Sequence, residues 1–206
     1  MFATILRMES SERVWIYVFS LVAVINGLGI VRLLGGLSEY IRKQKAVDIQ
    51  HYWVYTLFAV FQLLLHLLFW WSVIGLHKAG DLNFLSYLYL LIGPTLLFLG
   101  TSLLVPATQI ESLNLRSEYY GIRKTYFSIL IAFWLWTIFV WPVFGHSFAP
   151  TAPLIVAFLL ISLTLRMTDR PRVHATLVIA NYAIYLVFIV LYATHLGELG
   201  RRIAEQ

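Results

Sequence analysis

The sequence contains no cysteine. Disulfides, thiolate catalysis, iron–sulfur clusters and cysteine-based zinc sites are therefore excluded. Charge is scarce as well. Asp, Glu, Lys and Arg make up 12% of the 206 residues, about half the share of a soluble domain. Glu39, Asp48, Asp81, Glu111, Glu118, Asp169 and Glu198 all fall between apolar runs or at their ends, never at mid-run. Carriers coupled to protons or sodium usually keep an acidic group at that depth, so secondary active transport loses ground. Also missing are a G-x-S-x-G elbow, a TVGYG filter, HExxH spacing and a phosphate-cradling glycine loop. No basic tail or nucleic-acid module accompanies the formal net charge of +5, which fits loops facing anionic lipid, and no nucleic-acid partner is expected.

What is abundant is apolar: 60% of the residues are hydrophobic, and the mean hydropathy is +0.80. One core of this size would not hide so much apolar surface from water. The expected fold class is all-α, a polytopic integral membrane helix bundle with the bilayer as its first partner. A span needs roughly 17–25 predominantly apolar residues. Six segments qualify, at about 14–34, 52–76, 84–105, 126–145, 150–169 and 173–195. Backbone groups in lipid must bond internally, so each is read as a helix. Ser10 and Ser11 are candidate caps for the first, Gly35 and Gly36 its expected end, and Pro171 suits the start of the last. The chain reads as one transmembrane domain with no soluble domain. Glu9, Glu12 and Arg13 interrupt the N-terminal stretch before an apolar core forms, so the first run is expected to be kept.

Ten of the fifteen basic residues fall in the first, third and fifth connections. The positive-inside rule then places the odd-numbered loops in the cytoplasm and both termini outside, in a plasma or bacterial inner membrane. Arg42, Lys43, Lys45, Arg123, Lys124, Arg170 and Arg172 are candidate contacts for lipid headgroups. In the third connection, Thr108 and Glu111 have capping-box spacing ahead of "SLNLRSEYYGIRK". This predicts a short interfacial helix with Tyr119 and Tyr120 at headgroup depth.

The polar residues inside the spans are few and patterned. At 100° per residue, Tyr55, Gln62, His66 and His77 lie within about 80° of His51. His174, Asn181, Tyr185 and Tyr192 share a stripe about 40° wide on the last span. Such stripes face protein or water, not lipid. Asn26 lies deep in the first span and needs a partner, while Gly27 and Gly29 permit close helix approach. Gly93-Pro94 predicts a bend in the third span, and Thr95 and Ser102 follow at seven-residue spacing. Tyr55, Gln62, His66, Asn26, Pro94, Thr95, Ser102, Asn181 and Tyr185 are therefore the candidate lining of a cavity or pore.

His77, His146 and His195 fall at the other membrane face, a candidate zinc or copper set that lacks any metal-binding spacing. His66 has no depth-matched histidine for a bis-histidine haem. No cofactor is expected. Three functions follow. The first is a channel or transporter for a small ion or solute. The second is a non-catalytic subunit or scaffold that packs with a membrane partner or a second copy. The third is a histidine-based metal or haem enzyme, which the missing motifs disfavour.

Overall fold

The computed structural model describes residues 2–43, 48–79, 82–105 and 112–193. Among them are six α-helices: α1 (Phe2–Lys43), α2 (Trp53–Val73), α3 (Phe84–Leu104), α4 (Leu115–Val143), α5 (Ala152–Met167) and α6 (Pro171–Phe188). Five helical stretches are long and apolar enough to cross a membrane, and α5 is not one of them. Its 16 residues extend about 24 Å at 1.5 Å each, short of the roughly 30 Å hydrocarbon layer. The expected 150–169 span loses its ends to a turn at Thr151 and an extended Thr168. Leu85, Leu160, Val190 and many other large apolar side chains point outward, an arrangement water would not tolerate. The helices fit an integral, multi-pass membrane protein.

Several sequence-based boundaries move. α1 starts at Phe2, so Ser10 and Ser11 are not its caps, and it runs through Gly35 and Gly36 to Lys43. A side chain at Gly36 would meet Val105 Cγ1 at 2.7 Å. The glycine there serves close packing on the end of α3, and the helix does not stop at it. No separate interfacial helix follows α3 among the described residues. Ser112–Asn114 is a three-residue strand (β2) paired in parallel with Asp48–Gln50 (β1), and α4 runs unbroken from Leu115. Thr108 and Glu111 lie outside the described residues.

The short strand pair gives the bundle a clamp at one end. Asn114 Oδ1 accepts from the backbone N–H groups of Arg116 and Ser117, capping α4, and its amide donates to Gln50 Oε1 at 2.5 Å. One side chain thus starts a helix and ties the first connection to the third. α3 begins on a reciprocal cap between Asn83 and Ser86, and Pro171 occupies the first turn of α6. Pro94 lies inside α3, which continues past it to Leu104.

α2 is the central element, touching α1, α3, α4 and α6, while α1 packs mainly on α3 and α5 on α4. Trp15 of α1 meets Phe144 after α4, with ring centroids 6.1 Å apart. Beyond α6, the Tyr192 hydroxyl donates to the Pro150 carbonyl. These contacts gather the even-numbered side of the bundle opposite the β1–β2 clamp.

Candidate functional site

From Tyr55 to His66 the polar stripe of α2 faces protein, whereas His51, just before the helix, is exposed. His66 has no exposed surface. Its Nδ1 lies 2.7 Å from Asn26 Oδ1 on α1, and its Nε2 lies 2.8 Å from Thr101 Oγ1 on α3. The Asn26 amide nitrogen also donates to the His66 carbonyl at 3.2 Å. Together these bonds fix the proton positions. Asn26 Oδ1 accepts, so Nδ1 carries the hydrogen, and Nε2 accepts from the Thr101 hydroxyl. Both ring nitrogens of a neutral imidazole are thereby satisfied.

One turn earlier, Gln62 is equally enclosed. Its Nε2 donates to the Leu97 carbonyl at 3.0 Å, and its Oε1 accepts from Tyr126 of α4 at 2.9 Å. Tyr55 donates to the Leu104 carbonyl. From α6, Tyr182 and Tyr185 donate to the carbonyls of Leu57 and Leu64. Asn26, Tyr55, Gln62, His66 and Tyr185 of the candidate lining thus take part in bonds that join α2 to four neighbours.

Asn181 and Tyr185 are both buried, and neither is bonded to the His66 ring, whose partners are Asn26 and Thr101. Thr95 faces outward and bonds the Leu91 carbonyl of its own helix, and Ser102 likewise bonds Phe98. Pro94 is buried beside Gly93, whose missing side chain leaves room for the Trp136 ring. That ring exchanges two hydrogen bonds with Tyr89, indole to Tyr89 carbonyl and phenol to Trp136 carbonyl. Thr101 and Tyr126 were not legible as site residues. Thr101 sits beside the residue that fitted the seven-residue spacing, and Tyr126 reads as aromatic bulk.

Glycine placement explains how the ring fits. A Cβ on Gly29 would lie 2.3 Å from His66 Cε1, whereas one on Gly27 would meet nothing within 4 Å. Only Gly29 is required for the close approach that the sequence assigned to both. Gly100 similarly admits Gln62, at 3.4 Å from its Nε2.

At the clamp end, Arg123 is 2% exposed, so it does not take the headgroup position expected of it. It donates to the Thr168 carbonyl and pairs with Asp169, which is well exposed. Its Cζ lies 5.9 Å from the Tyr120 ring centroid. His174, also fully buried, donates from Nε2 to the Thr168 carbonyl at 2.8 Å and accepts from Tyr119 at 2.5 Å. Tyr119 is buried and only Tyr120 is partly exposed. Burial, aided by its contact with Tyr120, raises the pKa of Tyr52 and keeps its phenol protonated just before α2. Arg42, Lys124, Arg170 and Arg172 are exposed and remain available to headgroups. The Lys43 side chain and Lys45 lie outside the described residues.

Of the candidate metal set, His146 packs edge-on against Trp141 at 5.7 Å. The His77 side chain and His195 lie outside the described residues. Among the described residues no three His, Asp or Glu side chains cluster as metal ligands.

A cavity among the described residues lies away from these polar groups. It measures about 90 Å³ and opens between α2, α4, α5 and α6, towards the even-numbered connections. Leu65, Phe69, Phe133, Trp134, Phe158 and Phe188 form much of its wall, and Ser72, Thr137, Thr151 and Tyr185 are its hydroxyl-bearing residues. Trp134 stacks on Phe158 at 4.7 Å and 10°, fixing one wall as a flat aromatic surface. No charged side chain among the described residues lines it. Comparison with known protein families, characterised proteins and solved structures gives no match to this chain.

Proposed function

We propose that this protein binds and transfers a small, uncharged, lipid-soluble solute within the membrane, and does not conduct ions. The observation that carries this reading is the separation of its polar and empty regions. The deep polar groups of α2 are spent on neighbouring helices, while the cavity has apolar and aromatic walls. A dry apolar cavity takes up small apolar molecules, and binding sites of this kind are mostly apolar with a few placed polar groups. The charge pattern supports an orientation with the odd-numbered loops in the cytoplasm.

Quenching of tryptophan fluorescence by 1-bromooctane tests this in reconstituted vesicles, because Trp134, Trp136 and Trp141 line the cavity. A saturable component is expected above the linear effect of bromooctane dissolved in lipid, and Ala149→Leu, which fills the cavity wall, should remove it. Purely linear quenching, unchanged in that variant, would overturn the proposal.

A further inference from the structure

Several hydroxyl groups in these helices bond their own backbone. Ser20, Thr95, Ser102, Thr137, Ser162 and Thr164 each donate to the carbonyl four residues earlier. That is the ordinary outcome for a hydroxyl in an apolar helix. Ser72, in the last turn of α2, and Thr151, just before α5, both line the cavity, and neither side chain makes a hydrogen bond among the described residues. Thr151 is 1% exposed, and its carbonyl, not its hydroxyl, receives the first N–H groups of α5. The indole of Trp141 makes a third case. Trp134 and Trp136 donate to Ser162 and Tyr89, but the Trp141 N–H has no acceptor among the described residues, although the ring is buried at the cavity.

All three belong to the parts of α2, α4 and α5 nearest the even-numbered connections. The deeper wall, with Leu65, Phe69 and Phe158, is apolar. The fully enclosed side-chain atom without a partner among the described residues is Arg123 Nε; Ser72, Thr151 and Trp141 instead line the cavity, where an unmade hydrogen bond is unfavourable until a partner arrives. Among the described residues the cavity carries no cation to hold a carboxylate or phosphate and no anion to hold an amine.

We propose that Ser72, Thr151 and Trp141 receive the carbonyl oxygen of a neutral ketone- or quinone-like lipid, whose hydrocarbon part fills the apolar floor and continues into the bilayer. This assignment rests on the reading that the cavity takes a lipid-soluble solute. It adds the chemistry and direction of the head. At about 30 Å³ per water, 90 Å³ holds a polar head and a short stretch of chain, not a whole lipid.

The test is photolabelling of the full chain in lipid nanodiscs with 4-decylbenzophenone, a ketone, followed by peptide mapping and competition with 2-decanone or decane. Saturable labelling is expected within residues 65–76, 133–141 and 149–158. Displacement by 2-decanone should need about tenfold less competitor than decane, the margin that one or two recovered hydrogen bonds supply. Thr151→Val, which keeps shape and removes only the hydroxyl, should shrink that margin while labelling persists. Ser72→Ala provides a second, independent variant. Equal competition by decane and 2-decanone would overturn the carbonyl assignment and leave solute binding intact. Label spread over the lipid-facing surface without saturation would overturn both.

Discussion

Gly27 and Gly29 differ by two positions and by everything that matters for packing. A methyl at Gly27 enters open space, but one at Gly29 strikes an imidazole held by hydrogen bonds to Asn26 and Thr101. The ring cannot swing aside without losing both bonds. Gly29→Ala should therefore destabilise the protein by about 1–3 kcal/mol, the usual range for overpacking. Gly27→Ala should be neutral or stabilising by up to ~1 kcal/mol, the helix-propensity difference. Thermal unfolding of the two variants in one detergent reads the contrast, and equal effects would dissociate Gly29 from His66. Thr101→Val probes the same joint from α3. It keeps shape but leaves His66 Nε2 without a donor, at a cost of about 1–2 kcal/mol, which Thr101→Ser should largely recover. The sequence located the edge of α2 on which His66 and Gln62 lie, because a helix places its polar side chains by angle. It did not identify the groups opposite, because that depends on which helix lies across and at what height. Side chains lean towards their own helix N-terminus. Across a pair of antiparallel helices, His66 and Thr101 lean towards each other and close an axial gap that depth matching of backbones leaves open.

Helix boundaries were legible where local chemistry decides them and misplaced where tertiary contact does. Pro171 and the apolar lengths of α2, α3 and α6 belong to the first kind. The continuation of α1 through Gly35 and Gly36 belongs to the second, since packing on Val105 outweighs the intrinsic cost of glycine. The start of α4 was missed for a related reason. "SLN" carries no strand pattern, and its pairing partner lies more than sixty residues earlier in β1. This gives Asn114 a double duty that a simple cap lacks. Asn114→Ala should cost about 1 kcal/mol for the helix cap, and the loss of the bond to Gln50 should add to it. Gln50→Ala alone should have a smaller effect, and the double variant should match Asn114→Ala within about 0.5 kcal/mol, because the shared bond can be lost only once. A double-mutant cycle by chemical unfolding measures this, and strict additivity would mean that the Gln50–Asn114 bond contributes nothing.

For the molecule as a whole, composition alone identified a membrane helix bundle, and the outward-facing apolar surface accords with that. The number of crossings was harder to read. Residues 150–169 are apolar enough for a span, but α5 forms only where neither the turn before it nor the extended link after it intervenes. Orientation is open to direct measurement because the chain has no cysteine. A single cysteine at Ser147, exposed in the fourth connection, should react with a membrane-impermeant maleimide from outside intact cells. One at Ser117, exposed at the start of α4, should react only after permeabilisation. The reverse pattern would invert the proposed topology. The central claim is that the polar interior joins helices and carries nothing, while the apolar cavity does the work. Proton and potassium flux through the purified protein in liposomes tests it most directly, followed across pH 5 to 8, the range in which an accessible histidine titrates. Flux equal to that of empty liposomes at every pH is the expected result. A flux above that baseline, rising or falling with histidine protonation, would contradict it.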